Sequence, residues 1–144
     1  MWICGLIKDD LPVPDTTRQF LEKSRSEALS FLVQKWLASQ DFNELRLLTG
    51  LSFEGQWENN PLNARNRFIE FISTIPEKKW WNLNSFISAI KDCCPDYQRP
   101  AGDYDSWFIL NKHTNQYLRN FSSWDEVDGA YLEFMITGPL YWFG

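Results

Sequence analysis

The only histidine, His113, lies in the polar stretch 111–115, where a side chain is hard to hold in one orientation. A hydrolytic triad needs a nucleophile, a base and a third group that orients the base. No nucleophile-elbow pattern accompanies His113, so the sequence gives no support to acyl-transfer chemistry. The three cysteines are Cys4, Cys93 and Cys94. An adjacent pair does not readily fill two corners of a tetrahedral zinc site, and no second close pair completes one. Cys93 and Cys94 are expected to be a buried thiol pair at a helix end. The acidic residues Asp103, Asp105, Asp125, Glu126 and Asp128 are the densest source of carboxylates. Paired carboxylates divide acid and base roles or hold a hard cation. The first two lack calcium-loop spacing, and the last three suit the positive first turn of a helix, so capping and solvation are preferred. With no phosphate-cradling glycine loop either, no cofactor is expected and the chain reads as non-enzymatic.

The basic residues suggest binding. Arg65, Arg67, Lys78, Lys79, Lys91 and Arg99 all fall within residues 61–100. Lysine and arginine at helix starts and loops are the usual phosphate contacts. Asn82, Asn84, Ser85 and Ser88 could reach base edges, although helix capping and solvent exposure explain them more simply. Lys112 and His113 occupy a hairpin tip. The net charge is −5 at neutral pH. It divides into −3 over residues 1–60, +2 over 61–100 and −4 over 101–144. The basic middle is flanked by acidic segments that oppose an approaching phosphate backbone, which disfavours broad DNA binding.

These residues need elements to hold them. Pro12 and Pro14 make residues 11–14 an extended connector. Asp15 or Thr16 then caps a helix predicted to run to about residue 39, with Phe20, Leu21, Leu29, Leu32, Val33, Trp36 and Leu37 on its apolar face. Ser39 caps a second, shorter helix carrying Phe42, Leu45 and Leu48, which completes an N-terminal helical hairpin. Residues 51–59 read as irregular. Asn60-Pro61 is the clearest boundary, a cap followed by proline in the first helical position. The next helix has Ala64, Phe68, Ile72 and Ile75 on one face and ends at Pro76. Asn82 or Asn84 caps a helix reaching Cys93 or Cys94. Residues 107–110 and 116–119 form a β-hairpin. Ser123 and Glu126 form a capping box for a last helix, which Gly138-Pro139 stops near residue 137. The predicted class is therefore α+β and mostly helical: residues 1–60 are an N-terminal helical region sharing the core, and 61–144 a half with a small hairpin.

Aromatic residues make up 17% of the chain. Most are expected in the core. The closing Leu140, Tyr141, Trp142 and Phe143 are the exception. They read as an association surface of a chain truncated at its C-terminus, able to support a homodimer or to meet the remainder of a parent chain. The apolar opening from Met1 to Ile7 is too short to span a bilayer, has no basic leader, and reads as a short strand or packed arm. No membrane association is expected, and the odd cysteine count suits a reducing, cytoplasmic setting.

The order of helix, short strand, helix, irregular segment, hairpin and helix from residue 61 is that of a winged-helix variant. Asn63-Ala64-Arg65, Trp80 with Phe86, Asp103-Tyr104-Asp105-Ser106-Trp107, and Gly138-Pro139-Leu140 with Trp142 and Gly144 carry a resemblance. Over residues 28–144 the chain resembles a bacterial family of uncharacterised proteins whose winged-helix modules are similar to helicase-associated amino-terminal domains. The resemblance implies a DNA-binding or regulatory module that accompanies larger machinery. Two expectations result. The first is a non-catalytic module working mainly through protein contacts. The second is direct duplex DNA binding through helix 83–94 and hairpin 107–119, with Arg65, Arg67, Lys78, Lys79, Asn84, Ser85 and Lys112 as contacts.

Overall fold

The computed structural model describes residues 2–144; Met1, part of the apolar opening segment, lies outside them. The fold is α+β and mostly helical, with a two-stranded and a three-stranded antiparallel sheet. The chain divides into two compact units, one holding residues up to Phe42 together with Phe143, the other Asn43–Trp142 with Gly144. The division falls ahead of Asn60-Pro61, which sits inside the larger unit.

The smaller unit opens with a 3₁₀ turn, Trp2–Cys4, and a minimal hairpin, β1 (Ile7–Lys8) and β2 (Leu11–Pro12). Its two-residue turn is Asp9-Asp10, both at positive φ, the conformation that matches the twist of paired strands. Helix α1 (Pro14–Leu21) begins on its proline, and α2 spans Arg25–Ala38. The single helix expected over this stretch is broken at residues 22–24. The reason is a capping box: the Ser24 side chain accepts from the Glu27 amide while the Glu27 carboxylate accepts from the Ser24 amide. The Ser24 hydroxyl also donates to the Glu27 carboxylate, and that bond together with the one from the Ser24 amide holds the Glu27 carboxyl below its ordinary pKa. Phe20 of α1 meets Phe31 of α2 at 5.8 Å, and Trp36 packs against Phe143 at 5.3 Å. Leu21, placed on the predicted apolar stripe, is instead 75% exposed.

The second helix expected after Ser39 does not form. The Ser39 hydroxyl does accept from the Phe42 amide, but only a 3₁₀ turn, Leu45–Leu47, follows. In the larger unit β3 (Leu51–Phe53) replaces the predicted irregular segment. Helix α3 (Pro61–Ser73) starts as expected: Asn60 Oδ1 accepts from the Asn63 amide at 2.9 Å. Asn60→Ala is expected to cost about 1 kcal/mol, measurable by urea denaturation. Helix α4 (Leu83–Cys93) is capped by Asn82 rather than Asn84, and at its other end Cys93 is exposed and Cys94 half-buried instead of forming a buried pair, because that end of the helix faces solvent. The hairpin follows as β4 (Ile109–Asn111) and β5 (Gln116–Tyr117), and the sheet order is β3-β4-β5.

The final helical run departs most from expectation. A 3₁₀ turn (Phe121–Ser123) leads to a π-helical turn (Asp125–Gly129), α5 (Ala130–Met135), a second π turn (Ile136–Leu140) and α6 (Tyr141–Phe143). The Ser123–Glu126 capping box is absent. Ser123 donates to the Arg119 carbonyl and Glu126 accepts from Asn111. Gly138-Pro139 does not stop the helix either. Pro139 lacks an N–H, and the wider π turn accommodates it. A Cβ at Gly138 would lie 3.4 Å from both Phe134 and Trp142, so glycine lets those two rings meet edge to face. Trp124, Val127, Tyr131, Leu132 and Met135 of this run are fully buried, as are Phe68 of α3 and Ile109 of β4. Gly129 lets α4 come close: a Cβ there would meet Ile87 at 3.5 Å.

Candidate functional site

Arg65, expected to face a phosphate, is completely buried on α3. Ala64 and Phe68 turn the same helix face into the core, and Arg65 goes with them. Its Nε and Nη2 donate to the two carboxylate oxygens of Glu44 at 2.6 and 3.1 Å. A guanidinium in that fork has no surface to offer a nucleic acid, so Arg65 is a scaffold residue.

A second buried fork joins the segment after α4 to the first π turn. Arg99 donates through Nε and Nη2 to Asp128 at 3.1 and 2.9 Å, and Gln98 Nε2 donates to the same carboxylate at 2.7 Å. The Tyr97 hydroxyl donates to the Asp128 carbonyl, and Trp124 Nε1 donates to the Pro95 carbonyl. The Arg99 guanidinium also lies over the rings of Trp107, at 4.4 Å, and Tyr104. Burial raises the Asp128 carboxyl above its ordinary pKa, opposed by Arg99 and Gln98. The expectation that Asp128 caps a helix in solvent is corrected here. Its wet neighbours behave differently, since Asp125 pairs with Lys91 at 2.6 Å and Asp103 closes a turn onto the Ser106 amide.

Two of the six cations in the basic middle are thus internal. Arg67 is exposed, but Glu70 neutralises it at 2.7 Å. Lys78 and Lys79 are exposed in the loop between α3 and α4 and make no ion pair among the described residues. Lys78 adopts a left-handed backbone, φ 57°. Beside them Trp80 is fully exposed, and Trp81 is partly covered by Phe86 at 5.3 Å. Asn84 and Ser85 are exposed in the first turn of α4. Lys112 is exposed in the hairpin turn, where Asn111 Oδ1 accepts from the His113 and Thr114 amides.

The closing aromatics divide. Tyr141 and Trp142 are mostly exposed, Leu140 and Phe143 are half-buried. Sequence reasoning did not anticipate an open cleft of about 400 Å³ nearby. Three segments line it: Leu48, Thr49, Gly50 and Leu51; Asn111 and His113 of the hairpin; and Glu126, Ala130, Glu133, Phe134 and Thr137 of the last helical run. The spacing of 126, 130, 133 and 137 is helical, and that periodicity was the available signal. Among the described residues no group of three or more His, Cys, Asp or Glu is arranged to hold a metal ion, and no helix is long and apolar enough to cross a membrane. No family model, curated protein or solved structure matches this chain.

Proposed function

We propose that this chain is a non-catalytic binding or regulatory module of winged-helix type that works by protein contacts within a larger cytoplasmic assembly. The observation that carries the reading is Trp80, a fully exposed tryptophan beside Trp81 and two unpaired lysines. Exposing so much apolar surface is unfavourable in isolation, and tryptophan is the residue type that most often anchors a protein interface. Tyr141 and Trp142 supply a second exposed aromatic pair. The order of α3, α4, hairpin and helix supports the winged-helix type, with a loop among the described residues where a short strand was expected between the two helices, and three free thiols suit a reducing compartment.

Direct duplex DNA binding through α4 and the hairpin is the alternative, favoured by the exposed Lys78, Lys79, Asn84, Ser85 and Lys112. Burial of Arg65 and Arg99 removes much of its charge. A photoreactive residue at position 80 tests both in the native cell. Discrete protein adducts are the expected result, with no duplex binding in fluorescence anisotropy at low salt. Protein adducts absent and DNA binding present, falling steeply with salt and lost on Lys78→Glu/Lys79→Glu, would replace the first reading by the second.

A further inference from the structure

The loop and the cleft described above are complementary. Glu126 and Glu133 line the cleft, and no lysine or arginine among the described residues pairs with either. The Glu126 carboxylate accepts from the Asn111 side-chain amide at 2.9 Å. Ala130 lies between the two carboxylates along the helix, and Ala130, Phe134 and Leu48 are apolar residues in the same lining. The opening therefore suits a large apolar side chain flanked by cations. Lys78-Lys79-Trp80 has that composition: two unpaired ammonium groups next to a fully exposed indole. None of the three lines the cleft of its own chain.

We propose that the Lys78-Lys79-Trp80 loop of one copy docks in the Glu126–Glu133 cleft of a second copy. This rests on the protein-contact reading above and assigns the occupant of one surface. The interface is heterologous, because loop and cleft are different surfaces, so each bound copy still presents a free loop at one end and a free cleft at the other. A single loop in an open cleft buries a small area, which places the contact among weak, transient associations.

Sedimentation velocity of the purified chain over a rising concentration series tests it. The mass average is expected to climb with concentration, and Trp80→Ala to weaken association about thirtyfold, the effect of losing an interface anchor. Glu126→Lys/Glu133→Lys and Lys78→Glu/Lys79→Glu are each expected to sediment as monomers, with circular dichroism confirming that both stay folded. Mixing those two reversed proteins is expected to restore association, since each loop then meets a cleft of opposite charge. Monomers at every concentration overturn the proposal while leaving Trp80 open to a different protein. So does association that survives both reversals and is abolished by Trp142→Ser, which would assign self-contact to the terminal aromatic helix. The photocrosslinking experiment separately decides whether Trp80 meets protein at all.

Discussion

Arg65→Met is expected to destabilise the larger unit by about 3–5 kcal/mol, because it leaves the Glu44 carboxylate inside the core without its guanidinium. Both side chains are fully buried, and the fork between them is bidentate. Coulomb attraction in such a site offsets a large desolvation cost only while both partners are present. The total stability of a domain is about 5–15 kcal/mol, so this one change removes a large share of it. The paired substitution Glu44→Leu/Arg65→Met is expected to cost much less, since it removes both charges and leaves apolar groups at two buried positions. Urea denaturation followed by tryptophan fluorescence measures both. A cost below about 1 kcal/mol for the single variant would mean that the pair is solvated and weak. One consequence concerns binding assays. Loss of activity in an Arg65 variant reports unfolding, so Lys78 and Lys79 are the residues with which to test an interface.

Local signals in the sequence specify structure where one residue type has one physical role. Asn60-Pro61 and Asn82 are caps whose side chains bond the amides three residues on, whatever surrounds them. The hairpin was legible for the same reason, since its strands and polar turn are close in sequence. Ser24-Arg25-Ser26-Glu27 is an equally local signal, but the apolar periodicity on both sides predicts one continuous helix. Its capping box interrupts that helix without disturbing the period.

What periodicity could not supply was burial of charge. On α3, Arg65 and Arg67 are two positions apart and so point to different faces, but nothing local says which one turns inward. The answer depends on Glu44, twenty-one residues earlier, in a segment predicted as helix and folded as a 3₁₀ turn. Asp128 presents the same difficulty, because its partners Gln98 and Arg99 lie about thirty residues away. Strand β3 was missed for a related reason. Three residues carry almost no period, and Leu51–Phe53 becomes a strand because β4 lies alongside it. Half of the cleft was legible, in the spacing of Glu126, Ala130, Glu133 and Thr137. The other half depends on where β3 places Leu48 and Thr49.

The second large effect belongs to Arg99. Arg99→Met is expected to cost about 3–5 kcal/mol at neutral pH, again because a buried carboxylate loses its cation. Its distinguishing feature is pH dependence. Burial already holds the Asp128 carboxyl above its ordinary pKa, and Arg99 is the strongest influence opposing that rise. Removing the guanidinium therefore raises the folded-state value further, while the unfolded value stays that of a free aspartate. Below the unfolded value the carboxyl is protonated in both states and no ionisation penalty applies. As pH climbs toward and through the folded value, the unfolded chain releases the proton first and stability falls. The variant is thus expected to regain stability on acidification from neutral pH toward the ordinary aspartate range, so that its deficit against the parent narrows. Asp128→Asn/Arg99→Met has no carboxyl to titrate at this position, so it lacks that gain, and its deficit against the parent, whose own Asp128 carboxyl is raised, is expected not to narrow over the same range. Urea midpoints at pH 7 and pH 5 separate the outcomes. A deficit of Arg99→Met that does not change with pH would mean that stacking on Trp107 and Tyr104, rather than the fork to Asp128, is what Arg99 contributes.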